Sequence, residues 1–176
     1  MITLVPIKPE YAELWLKWRG EPNMMRYNPI TEISLENLRF YLEAISSDLS
    51  DLNAAHEFRF FIQFQEQLVG TICLKNINPE MLFCEIGYGI GEEFQGRGFG
   101  LSAVKLLIEK VFNETPMRRI AAYVSCHNVA SQKILEKSGF LKEGTCRQHF
   151  IINGQPTDEF LYAILRSDWQ KISAKI

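Results

Sequence analysis

The sequence predicts an α/β domain, a single mixed sheet with helices on its faces, in the order βααβββαβαββ. Three features carry that prediction. Short β-rich runs alternate with stretches whose apolar residues recur every three or four positions. A glycine-rich turn, Gln95 to Gly100, leads from a strand directly into a helix. Near the end, Asn153-Gly154 separates two β-rich runs, the strongest short hairpin signal in the chain.

The elements follow in order. Residues Ile2 to Ile7 form a short strand, and Pro9 can begin a helix with Tyr11, Leu14, Trp15 and Trp18 on one face. Gly20 to Ile33 reads as a polar loop with prolines. Ser34 is an N-cap for a helix whose stripe is Leu35, Leu38, Leu42 and Ile45. Glu57 to Phe64 and Leu68 to Ile77 flank Gln65-Glu66-Gln67 as a hairpin. A further strand, Met81 to Ile90, is interrupted by Gly87 and Gly89, which suggests a bulge or the close approach of a ligand. The helix after the glycine turn carries Leu101, Val104, Ile108 and Val111, and Arg119 to Val124 is the next strand. Asn128 caps a helix that Gly139 ends, and the last hairpin pairs Thr145 to Ile152 with Thr157 to Leu165.

A chain of 176 residues holds one full core, so residues 1–170 are expected to form a single domain and 171–176 a C-terminal tail. The net charge of -2 provides no footprint for nucleic acid or an anionic membrane. No apolar run approaches the ~20 residues that span a bilayer. The start, Met1 to Pro6, lacks the basic residues and long apolar stretch of a signal peptide, so the expected location is cytoplasmic. Cys73, Cys84, Cys126 and Cys146 lack metal-ligand or redox spacing and read as free, largely buried thiols, so no metal is expected. Cys126-His127 is not a dyad, because neighbours on a strand point to opposite faces.

The segment Ile86 to Gly100 holds most of the functional information. Glycines at 96, 98 and 100 sit between a strand and a helix. Such a turn aims unpaired backbone N–H groups and the positive end of a helix dipole at one point, where a pyrophosphate fits. Arg97 is placed to add a cation. A P-loop would end in Gly-Lys-Ser/Thr, whereas Leu101 and Ser102 follow Gly100 here, which argues against nucleotide hydrolysis and leaves a nucleotide-binding protein a distant third reading. The turn also lies mid-chain, where a dinucleotide-binding fold would not put it. The plain alternative is a tight turn without a ligand.

Gln95-Gly96-Arg97-Gly98-Phe99-Gly100 matches the Gln/Arg-x-x-Gly-x-Gly/Ala signature, and the chain resembles the GNAT superfamily of N-acetyltransferases. Glu85 to Ile90 looks like the strand before that loop, and Asn128-x-x-Ser131 with Leu135 to Phe140 resembles the second signature. Asp158, Tyr162 and the ending Leu165 to Trp169 are similar to the branch of ribosomal-protein N-terminal acetyltransferases. The resemblance implies acetyl-CoA as cosubstrate, a primary amine as acceptor, and a monomer or homodimer. In the family, loop amides hold the pyrophosphate and pantetheine runs along the preceding strand, which a bulge splays from its neighbour. By position this implicates Gln95, Gly96, Arg97, Gly98, Phe99, Gly100 and Leu101 in the first role, and Tyr88, Gly89, Ile90 and Gly91 in the second. The N–H near Ile90 would polarise the thioester carbonyl.

Acid–base roles are less sharply marked. Glu85, in an apolar run, is the candidate base, where burial would raise its pKa; a solvated or ion-paired carboxylate is the alternative. Many family members donate a proton from a tyrosine just before the Glu-Lys of the second signature, but Leu135 stands there. Ser131 and Tyr123 are the substitute donors, although Ser131 could equally serve only the helix start. Asn128 reads both as an N-cap and as a cofactor contact. In the family the loop between the first two helices and the last hairpin wall the acceptor site, which points to Arg26, Tyr27, Asn28 and Asp158. A peptide N-terminus is the acceptor the branch implies. A small amine (amino acid, polyamine or antibiotic) and a non-catalytic acyl-CoA-binding module stay open beside it.

Overall fold

The computed structural model describes residues 1–29 and 33–174. Its centre is a seven-stranded mixed sheet in the order β1-β2-β3-β4-β5-β7-β6. The strands are β1 (Ile2–Pro6), β2 (Phe58–Phe64), β3 (Gln67–Asn78), β4 (Phe83–Ile90), β5 (Arg119–Ser125), β6 (Leu141–Ile152) and β7 (Gln155–Leu165). Helices α1 (Ala12–Arg19), α2 (Pro22–Tyr27) and α3 (Leu35–Ala44) precede β2, α4 (Phe99–Glu114) joins β4 to β5, and α5 (Val129–Lys137) joins β5 to β6. A last helix, α6 (Arg166–Ser173), follows β7 and carries the chain through residue 170.

Local signals set most boundaries. Pro9 opens a short 3-10 turn, Pro9–Tyr11, and α1 continues from it with Trp15 and Trp18 buried. The Ser34 hydroxyl accepts from the Asn37 N–H at 3.1 Å, so the expected N-cap is present. Gly139, at φ +94°, ends α5: its N–H reaches Glu136 O at 3.1 Å and the Phe140 N–H reaches Leu135 O at 3.1 Å. These two bonds are a Schellman cap, which an L side chain at Gly139 would strain. Asn153 and Gly154, both at positive φ, make the two-residue turn between β6 and β7.

Three expectations are corrected. The loop expected from Gly20 to Ile33 contains α2, and residues 30–32 of it lie outside the described residues, as do 175–176 of the expected tail. Strand β4 is not interrupted: it pairs with β3 in unbroken register from Glu85↔Lys75 to Ile90↔Gly70, and the irregularity lies between Lys75 and Asn78 instead. Strand β6 begins at Leu141 rather than Thr145 and contains two register shifts against β7.

Arg166 ties the α4 side of the sheet together. Its guanidinium donates to Phe112 O, to Thr115 O at 2.6 Å and to Met117 O at 2.6 and 2.9 Å. The end of α4 would otherwise leave carbonyls without partners, and charged donors there also favour the negative end of the helix dipole. Replacing Arg166 by Met keeps the apolar stem and removes the donors. A loss of about 2–4 kcal/mol in unfolding free energy is expected, from charge-assisted hydrogen bonds left unmade. Urea denaturation checks it; a change below about 0.5 kcal/mol, the range of ordinary surface substitutions, would refute it.

Candidate active site

The site originates in how β4 meets β5. They run parallel and pair only at Phe83↔Arg119, Cys84↔Ile120 and Glu85↔Ala121. Beyond Glu85, β4 stays on β3 while β5 stays on β7, so the two separate without any bulge in β4. The Gly91 N–H donates to Val69 O at 3.0 Å, which fixes the alternation along β4. The backbone groups of Ile86, Tyr88 and Ile90 therefore face away from β3, into the opening. A cavity of about 510 Å³ occupies that wedge, lined by α2, β3, β4, β5, α5 and the β6–β7 hairpin.

At the end of β4 the glycine turn forms the second part. Gly96 and Gly98 have φ of +75° and +80°, and a Cβ built on either meets no atom within 4 Å. Ser102 is the first residue to donate back into α4, to Gly98 O at 3.1 Å, so the N–H groups before it point outward. No side chain caps that end. Open space, left-handed glycines and uncapped donors together fit a pyrophosphate. Gln95 donates to Ile90 O at 3.0 Å, holding the loop to the strand. Arg97 is exposed, with no ion-pair partner among the described residues. Phe99 is buried against Phe64, ring centroids 4.9 Å apart, so only its backbone is available to a ligand, and Leu101 is half-buried. A Cβ on Gly100 would come within 3.0 Å of Ile134, so this glycine lets α4 approach α5.

Gly89 in β4 and Gly91 just beyond it have a tertiary explanation. A Cβ on Gly89 would lie 2.4 Å from Met24 Cε, and one on Gly91 2.5 Å from Trp18 Nε1. Their smallness lets α1 and α2 lie close over the strand. Polar bonds lock α2 there: Glu92 accepts from the Asn23 N–H at 2.8 Å, and Glu21 accepts from the Glu92 N–H at 2.8 Å.

The two faces of the sheet carry different chemistry. On the α4–α5 face the Tyr88 hydroxyl lies 2.7 Å from Ser131 Oγ. Burial pushes the Tyr88 phenol up to about 12, despite the opposing hydrogen bond from Ser131, so it keeps its proton at neutral pH. Asn128 accepts from the Ser131 N–H at 3.1 Å, which is the N-cap role, and still lines the cavity beside Ser131. Buried Leu135 lines it too, where the family often places a tyrosine.

On the α1–α3 face, Glu85 is 9% exposed, and both of its oxygens are engaged: Oε1 with Lys75 Nζ at 2.8 Å and Oε2 with Asn76 Nδ2 at 2.7 Å. Across the wedge, Glu159 is buried and lies 2.8 Å from His149 Nδ1, and the His149 ring packs on Tyr123 at 4.9 Å between centroids. The strand alternation puts Tyr123 on this face, opposite Ser131 and Tyr88. Tyr27 and Asn28 line the cavity, but Arg26 is exposed, 5.2 Å from the Tyr27 ring, and does not. Asp158 does not line it either: Oδ1 accepts from the Gln148 N–H at 2.8 Å and stabilises the β6 irregularity. Lys75, Asn76, His149 and Glu159 escaped the sequence reading: Asn76 and His149 lie in the irregular stretches of β3 and β6, and Lys75 and Glu159 reach the wedge only through pairing between distant strands, opposite Glu85 and Ser125.

The acetyltransferase (GNAT) domain family matches residues 1–141, most of the chain. The chain belongs to the GNAT acetyltransferase family. With the family goes the class of reaction, acetyl-CoA-dependent N-acetyl transfer. An uncharacterized N-acetyltransferase p20 from Bacillus licheniformis is 29% identical over 171 residues, covering 96% of this chain and 94% of that protein. The [ribosomal protein uS5]-alanine N-acetyltransferase of Escherichia coli is 30% identical over 117 residues, 66% of this chain and 60% of that enzyme. The solved structure of spermidine N-acetyltransferase from Vibrio cholerae in complex with CoA and spermine shares the fold, at a TM-score of 0.83 and 24% identity, covering 96% of this chain and 98% of that one. In this GNAT acetyltransferase, all four cysteines are free, and Cys73 and Cys84 are buried. No described helix is long and apolar enough to cross a membrane.

Proposed function

We propose that this acetyltransferase moves the acetyl group of acetyl-CoA to the N-terminal amine of a protein or peptide, by direct attack in a ternary complex. One observation carries the reading: the wedge separates carboxylates and an imidazole on one sheet face, Glu85 and His149–Glu159, from hydroxyls on the other, Tyr88–Ser131. An amine entering from the α2 side meets the carboxylates and the imidazole, and a thiolate leaving on the α5 side meets the hydroxyls. The thioester supplies an acyl group that a neutral amine already attacks readily, so positioning does much of the work.

The N–H groups from Gly96 to Leu101 would hold the pyrophosphate, and the wedge-facing backbone from Tyr88 to Gly91 the pantetheine arm. The Ile90 N–H would polarise the carbonyl. Ser131 would supply a proton, with Tyr88 bonded behind it, in place of the tyrosine absent at Leu135. Glu85 would accept the amine proton. The relative that acts on ribosomal protein uS5 supports a peptide acceptor.

The test is release of free thiol from acetyl-CoA with a panel of amines. Peptides beginning with Ala or Ser are expected to give kcat/KM at least about tenfold above spermidine, a difference of ~1.4 kcal/mol in transition-state binding. The reverse order would make this a small-amine acetyltransferase. Acetyl-CoA binding without turnover of any amine would make it a non-catalytic module.

A further inference from the structure

A smaller cavity, about 120 Å³, lies beside the wedge and shares Met24, Asn28, Lys75, Gly87 and Tyr88 with it. That is the space of roughly four waters. Beyond these it is lined by two cations, Arg19 from α1 and Arg59 from β2, together with Trp15, Thr71, Cys73 and Gly89. Two of the three basic groups there already have carboxylates. Arg59 Nε meets Glu57 at 2.7 Å and its Nη1 donates to Thr71 at 3.0 Å, while Lys75 is held by Glu85. Arg19 has no ion pair of its own among the described residues, although Glu57 lies near enough to act on it through space. Arg19 Nε is buried without a hydrogen-bond partner among the described residues, the residue as a whole is half-buried, and its guanidinium lies 5.3 Å from the Trp15 ring. Arg59 lies 4.3 Å from the same ring.

Burial of a cationic donor without a partner is costly and asks for an explanation. Desolvation, and then the like charge of Arg59, lower the Arg19 pKa against the opposing pull of Tyr41 and Glu57. With Arg19, Arg59 and Lys75 all on its wall, the pocket favours an anion over a further cation. We propose that Arg19 completes a carboxylate subsite of the acceptor cleft, and that the preferred acceptor is a primary amine whose own molecule carries a carboxylate. The inference rests on the acyl-transfer reading above and sharpens it. The carboxylate can be the α-carboxylate of a free amino acid or an acidic side chain near a peptide N-terminus. A polyamine would bring positive charge to Arg19 instead.

Matched acceptors separate these sources: alanine against alaninamide, and the peptide amide Ala-Asp against Ala-Asn, with spermidine alongside. The enzyme is expected to prefer the carboxylate member of at least one pair by ~10-fold or more, the scale of a charge-assisted hydrogen bond. Arg19→Gln should erase that preference through KM, Arg19→Lys should restore part of it, and neither should alter acetyl-CoA affinity or the melting temperature. Independently of turnover, succinate should change tryptophan emission saturably in the parent and not in Arg19→Gln, because Trp15 sits against Arg19. No carboxylate preference, a preference that survives Arg19→Gln, or no succinate response each overturns the subsite. Failure of acetyl-CoA to bind overturns the acyl-transfer reading separately, and the succinate titration still decides the subsite.

Discussion

Gly98→Glu is expected to abolish acetyl-CoA binding in a protein that still folds. At this position φ is +80° and the direction of a side chain is open, so the substitution meets no packing obstacle. Its structural cost is that of a left-handed L residue, about 1–2 kcal/mol. The added carboxylate would stand in front of the α4 N–H groups, satisfying them and repelling a pyrophosphate. At ~4–5 Å and an effective dielectric near 20, one such repulsion is about 3–4 kcal/mol, a loss of several hundredfold or more in affinity. Gly98→Asn is the control, since asparagine tolerates the left-handed region and carries no charge. Calorimetric titration of both variants with acetyl-CoA should show near-parental affinity, within about tenfold, for Asn and no measurable binding for Glu. Equal affinity in the two would mean that the pyrophosphate sits elsewhere and that the glycine turn is only structural.

Glu85→Gln should lower kcat by roughly 10²–10⁴-fold with little change in acetyl-CoA affinity, the usual range for a lost general base. The fold should tolerate it, because glutamine is isosteric and Asn76 and Lys75 remain as neighbours. His149 is faced by Glu159 from β7 and by the Tyr123 ring from β5. His149→Gln should keep kcat within about tenfold of the parent. A fall of the size expected for Glu85→Gln in His149→Gln instead would assign the proton to His149, with Glu159 positioning it.

Much of this molecule can be read along the chain because the deciding interactions are local. Ser34, Asn128, Gly139 and Asn153-Gly154 act within a few residues of themselves, and each stands where expected. The glycine turn is legible for the same reason, since strand, turn and helix N-terminus are contiguous. Helix α2 was not legible: it has six residues, and the carboxylate bonded to its first turn is Glu92, far along the chain. Gly89 and Gly91 read as marks of a bulge or a ligand, whereas Met24 and Trp18 are the atoms that require them. Asp158 looked like a substrate contact and instead serves the backbone of its own hairpin.

By itself the sequence determined the order of the strands, most caps and turns, the glycine turn and the class of chemistry, through contacts short in sequence, while α2 and the closing helix α6 went unread. Only the tertiary structure decided where β4 parts from β5 and which carboxylates and hydroxyls face one another across the gap. It also decided that Arg19 Nε, beside the cleft, has no hydrogen-bond partner among the described residues. Those outcomes depend on register and on helix packing between distant segments, and a one-residue change of register would turn each of these side chains to the other face.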